Sequence, residues 1–66
     1  MYKAFKLKSF NHWLWFEEEK VTKLSNGDIE AVDGWGLSGC LIKSITFDSN
    51  LIEAEMVSKV LMYSGH

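Results

Sequence analysis

The run His12-Trp13-Leu14-Trp15-Phe16 holds two of the three tryptophans in a chain of 66 residues. A chain this short buries only about 60% of its unfolded surface. Its core alone supplies roughly 3–5 kcal/mol. Aromatic side chains bury the most area per residue. The fold must therefore use this run either to fill its core or to meet a partner.

Other means of stabilising a small domain are scarce. Cys40 is the single cysteine, so no disulfide can close within the chain. Soft metal ligands are limited to Cys40, His12 and His66, too few for a structural zinc site. No metal or cofactor is expected. Composition is globular, at 47% hydrophobic and 24% charged, which argues against disorder. We read residues 1–66 as one domain.

The lone thiol suits a reducing compartment. No charged leader with a following apolar stretch opens the chain, and no apolar run approaches the ~20 residues of a membrane span. A cytoplasmic protein without a membrane partner is expected. Net charge is −2, and all seven basic residues are lysine. Arginine, which supplies the bidentate fork for phosphate and guanine, is absent. The lack of Arg and Pro, with abundant Lys, Ile, Asn and Phe, suits coding from an AT-rich genome such as a phage or other mobile element.

Residues 2–9 read as a strand, because Phe5 and Leu7 alternate with Lys6 and Lys8. A two-residue loop at Asn11-His12 predicts a second strand over 13–20. Phe10 then faces Trp13, Lys8 faces Trp15, Leu7 faces Phe16 and Lys6 faces Glu17. One sheet face carries Phe5, Leu7, Leu14 and Phe16, although Glu18 opposite Phe5 fits poorly. The other carries Phe10, Trp13, Trp15, Lys6, Lys8 and Glu17. A helix capped by Asn11 is the competing reading, favoured by Glu17-Glu18-Glu19.

Ser25-Asn26-Gly27-Asp28 predicts a type I′ hairpin, since Asn-Gly accepts positive φ cheaply. The implied pairs are Leu24 with Ile29, Lys23 with Glu30, Val21 with Val32 and Lys20 with Asp33. A glycine-rich loop around Trp35 follows, then a β-branched strand over 40–47. Asp48-Ser49-Asn50 with Glu53 resembles a helix start. Ile52, Met56, Val60 and Tyr63 at helical spacing predict a helix over 51–63, closed near Gly65. Glu-Ala-Glu-Met also alternates, which leaves a strand open there. The expected fold is α+β: a meander of about four antiparallel strands with a C-terminal α-helix on one face.

The strongest candidate site is the aromatic and lysine face: Phe10, Trp13 and Trp15 with Lys6 and Lys8 at the rim. Tryptophan is common at interface hot spots, but the same residues serve equally as core. Trp35 in its glycine loop is a secondary candidate, with packing onto the sheet as the plainer reading. The acidic residues Glu17–Glu19, Asp28, Glu30 and Asp33 read as a solvated edge. Catalysis by Cys40 and His12 would need an orienting group and a cleft, and Cys40 reads as a small core residue. These features point to a non-enzymatic protein-interaction module, acting as a modulator or inhibitor that occludes a larger complex. Homodimer formation through the same face is a second expectation. Single-stranded nucleic acid, stacking on the aromatic face, is the alternative.

Overall fold

The computed structural model describes residues 1–59, and of Leu37 only the backbone. Strand β1 (Tyr2–Leu7) is followed by β2 (Trp13–Glu17), a 3-10 turn at Glu18–Lys20 and β3 (Val21–Lys23). Next come β4 (Asp28–Trp35), a turn at Leu37–Gly39 and β5 (Leu41–Asp48). A 3-10 turn at Ser49–Leu51 leads into β6 (Ile52–Ser58). All pairings are antiparallel. β2 and β3 lie along the same side of β4, so the sheet reads β5, β4, β2 with β3, β1, β6 across its width.

That order forces the sheet to curl. Laid flat, β5 and β6 would stand four spacings apart, about 19 Å at ~4.8 Å per spacing. The three residues Ser49–Leu51 that join them reach at most about 14 Å even when extended. As a 3-10 turn they reach less. The two ends of the sheet are drawn together at this corner, where the Lys8 amide also donates to the Leu51 carbonyl at 2.8 Å.

The core fills the concave side. Phe5, Leu7, Leu14, Phe16, Ala31 and Phe47 are buried together, with Val21, Ile29, Ile42, Ile45 and Ile52 packed around them. The Phe5 ring meets Phe47 edge-on at 5.4 Å and Phe16 at 6.3 Å. Burying each such ring contributes about 1.5–3 kcal/mol.

The expected C-terminal helix is overturned. Residues 52–58 form β6, and no α-helix occurs among the described residues; residues 60–63 of that expectation, and the stop at Gly65, lie outside them. Chain alternation wins over helical spacing: half-buried Ile52, Ala54, Met56 and Ser58 alternate with exposed Glu53, Glu55 and Val57. As a strand this segment covers the otherwise open edge of β1. It also sets Glu55 3.3 Å from Lys3 and Glu53 3.1 Å from Lys6. The helix-start chemistry is used on one turn only: the Asp48 carboxylate accepts from the Asn50 amide at 2.8 Å, capping Ser49–Leu51. A lone helix of this length is marginal in water, whereas strand pairing satisfies two backbones at once.

The two hairpins depart from their expected registers in opposite ways. In β1–β2, Ala4 faces Trp15, Phe5 faces Leu14 and Lys6 faces Trp13. This is a slip of four residues from the pairing of Lys8 with Trp15. An even slip keeps every side chain on its face, so the Phe5, Leu7, Leu14, Phe16 set survives. Phe10 instead sits in the loop, its amide donating to the Leu7 carbonyl at 3.0 Å. Glu18 leaves the sheet in the 3-10 turn and no longer opposes Phe5. In β3–β4, Val21 faces Ala31, Thr22 faces Glu30 and Lys23 faces Ile29, one residue from expectation. An odd slip exchanges the faces, which is how Ala31 replaces Val32 in the core.

The cause of the odd slip is the turn. Gly27 alone takes positive φ there (95°), while Asn26 does not. The Gly27 amide donates to the Leu24 carbonyl at 3.0 Å, and the Leu24 amide to the Asp28 carbonyl at 2.8 Å. Asn26 Oδ1 accepts from the Asp28 amide at 2.9 Å. This is a three-residue loop with a glycine bulge, one residue longer than a type I′ turn.

Candidate interaction surface

On the convex side, the registers align one residue from each strand layer into a single row. Met56 faces Ala4, Ala4 faces Trp15, Trp15 faces Trp35 and Trp35 faces Leu41. Trp15 is 8% exposed and Ala4 is fully buried, yet neither belongs to the concave cluster. They form a second apolar layer. Trp35 is half-buried and meets the Tyr2 ring edge-on at 5.8 Å. It ends β4, so it lies in the sheet and not at a loop tip. Trp13 is half-buried beside Lys6.

Of the six residues singled out in the sequence, Trp13, Trp15, Trp35 and Lys6 therefore share one face. Phe10 and Lys8 do not: both lie in the β1–β2 loop and are exposed. Lys6, opposite Trp13 in the register, pairs with Glu53 at 3.1 Å.

Phe10 belongs to the opposite side. With His12 from the same loop it forms one lip of a groove of about 360 Å³. Leu14 of β2 lies in the groove, and Ile42, Ser44 and Ile45 of β5 form the far wall. Gly36 and Cys40 close one end. A Cβ at Gly36 would come within 3.2 Å of a Leu14 methyl and 3.5 Å of an Ile42 methyl. Any side chain there would stand in the groove, so glycine keeps it open. The loop is held by the Gly36 amide donating to the Cys40 carbonyl at 2.8 Å.

Cys40 is exposed at this rim, correcting its reading as a core residue. The strand places it just before β5, at the turn from Gly39, where φ is 74°. Phe10 at 47% and Leu41 at 85% are among the exposed large apolar side chains. They flank the start of β5 on its two faces. The sequence carried one signal for this that went unread: adjacent Leu41-Ile42 on a strand must point to opposite faces, so one of them meets solvent.

The face exchange along β4 and β5 shapes the groove. Ala31 and Gly34, three apart, both turn to the core, as do Ile45 and Ile42. Between them Asp33 takes φ 55° and pairs with Lys20 at 3.4 Å. Gly34 is required at this bend, because a Cβ would collide with the Phe16 ring and the Trp15 carbonyl.

Among the described residues, no group of three or more His, Cys, Asp or Glu could hold a metal ion. No helix among them is long and apolar enough to cross a membrane. No family model, no curated protein and no solved structure matches this chain. The geometry alone carries the functional reading.

Proposed function

We propose that this protein is a small cytoplasmic interaction module that receives an apolar side chain of a protein partner in the groove between Phe10 and Ile42. It occludes a surface of that partner, as a modulator or inhibitor of a larger assembly, and performs no chemistry of its own. One observation carries the reading: an exposed phenylalanine stands on the lip of an apolar groove that Gly36 keeps open. The groove falls in the range of about 300–1,000 Å³ usual for ligand sites. Exposed aromatics over such pockets are where binding energy concentrates. The tryptophan row supports this surface from behind, by fixing β2 and β4 against each other.

The nucleic-acid alternative draws little support from the geometry, since Lys6 is engaged by Glu53 and Lys3 by Glu55. The test is capture of a partner from nuclease-treated host lysate by the wild type, Phe10→Asp, Gly36→Leu and Trp13→Ser, each first shown to be folded by circular dichroism. The proposal expects one protein partner that is lost with Phe10→Asp and Gly36→Leu and kept with Trp13→Ser. Loss with Trp13→Ser alone would move the working surface to the tryptophan face and sink the groove reading. Capture that disappears on nuclease treatment, or falls steeply with salt, would favour nucleic acid.

A further inference from the structure

Among the described residues, β3, β5 and β6 each have one strand neighbour, so the curled sheet presents three edges. Two of them carry features that discourage further pairing. β3 is three residues long and ends in Lys23. β6 carries the exposed carboxylates of Glu53 and Glu55. β5 has neither defence. It runs for eight residues, Leu-Ile-Lys-Ser-Ile-Thr-Phe-Asp, without proline and with Lys43 as the one charge before its last residue. A long, weakly charged edge rich in apolar and β-branched residues is a template for another strand.

The order of faces along β5 says which strand fits. Ile42, Ile45 and Phe47 turn to the core, and Ser44 borders the groove beside Ile45. Leu41 continues the convex row, Lys43 borders the same hollow as Leu41 and Asp33, and Thr46 and Asp48 are exposed. From Leu41 to Asp48 the faces run out, in, out, in, in, out, in, out. A strictly alternating strand of eight ends on opposite faces. The face exchange between Ser44 and Ile45 makes this one read the same from both ends. We propose that β5 pairs antiparallel with β5 of a second copy, about a two-fold axis between Ser44 and Ile45. Leu41 then faces Asp48 of the other copy, Ile42 faces Phe47, Lys43 faces Thr46 and Ser44 faces Ile45, and each pair shares a face. Such a contact is self-complementary, as a two-fold dimer requires. Charge supports the same register. Asp48 stands opposite Asp28 across β4–β5, an unfavourable like-charge pair. The dimer sets Lys43 of the other copy diagonal to Asp48, within reach of a long side chain, and does so twice by symmetry. The contact uses the outer edge of β5 while the groove uses its inner face, so neither reading rests on the other.

The experiment is sedimentation equilibrium of the whole chain from about 10 µM to about 1 mM, the range of a small contact. Each variant is first shown to be folded by circular dichroism. The wild type is expected to dimerise within this range. Thr46→Lys sets a lysine opposite Lys43 of the other copy. Within its own copy that lysine faces Glu30, so the fold is kept while the contact gains a repulsion. The dimer should weaken at least ten-fold, about 1.4 kcal/mol. Adding Lys43→Glu turns both new repulsions into attractions and should restore most of that loss. Phe10→Asp should dimerise as the wild type does. A wild type that stays monomeric throughout would overturn the inference. So would a Thr46→Lys variant that dimerises as tightly as the wild type, a double variant no tighter than Thr46→Lys alone, or a dimer abolished by Phe10→Asp.

Discussion

The convex face and the Phe10 groove both consist of apolar side chains on the same sheet, yet one is filled and the other is open. On the convex face large residues sit directly opposite one another: Trp15 faces Trp35, and Ala4 beside them is fully buried. In the groove the corresponding place is taken by Gly36, so Leu14 and Ile42 line a space that no side chain among the described residues occupies. Aromatic density marks where a small domain supplies its own packing. A missing side chain at Gly36 marks where the groove stays open.

The sharpest way to break this comparison is to truncate the filled face. Trp15→Ala should cost about 3–5 kcal/mol, close to the whole stability expected of so short a chain. Circular dichroism and urea melts should show it largely unfolded at room temperature. A folded Trp15→Ala variant with a near-native midpoint would mean that the convex layer contributes little. Gly34→Ala probes the join between the two regions. Its Cβ meets the Phe16 ring and backbone, so a loss of about 1–3 kcal/mol is expected from overpacking, read as a lowered urea midpoint.

Gly27→Ala tests the turn that sets the β3–β4 register. At φ 95° an added Cβ should cost about 1–2 kcal/mol. Phe10→Ala should be nearly silent in stability, within about 0.5 kcal/mol as for other exposed positions, while partner capture is lost. That pairing of a costly tryptophan with a silent phenylalanine is what separates filling from contact. The smallest effect is kinetic. Exposed Cys40 at the groove rim should react with a maleimide in the folded protein, and a bound partner should slow that reaction with no change in the melt.

The inward set Phe5, Leu7, Leu14 and Phe16 was legible in the sequence because alternation is a local property of a strand. It survived even a four-residue error in register, since the error was even. The place of the turn at Asn26-Gly27 was legible for the same reason, being local, though its type was not; Lys20 and Asp33 meet as a side-chain ion pair even though the strand pairing that predicted them is shifted. The β3–β4 register was not legible, because type I′ and bulged turns share the same residues and differ by one position. The candidate site was half legible. Phe10, Trp13, Trp15 and Trp35 were visible as aromatics, but which of them is exposed and which is buried depends on what lies across the sheet.

By itself the sequence determined that the chain would build antiparallel strands around an aromatic core, with no disulfide available to tie it. It also marked the turn at Gly27, and it marked Asp48 as a capping residue, though for a helix that does not form. Only the tertiary structure decided that residues 52–58 would be a strand. That segment carries both helical and alternating spacing, and the open edge of β1, some fifty residues away in sequence, selected between them. The same long-range closure brought β5 and β6 together at Ser49–Leu51 and set Gly36 over Leu14. Local spacing sets which side of a strand is apolar. Which strands meet, and what stays open between them, depends on contacts that no window of the sequence contains.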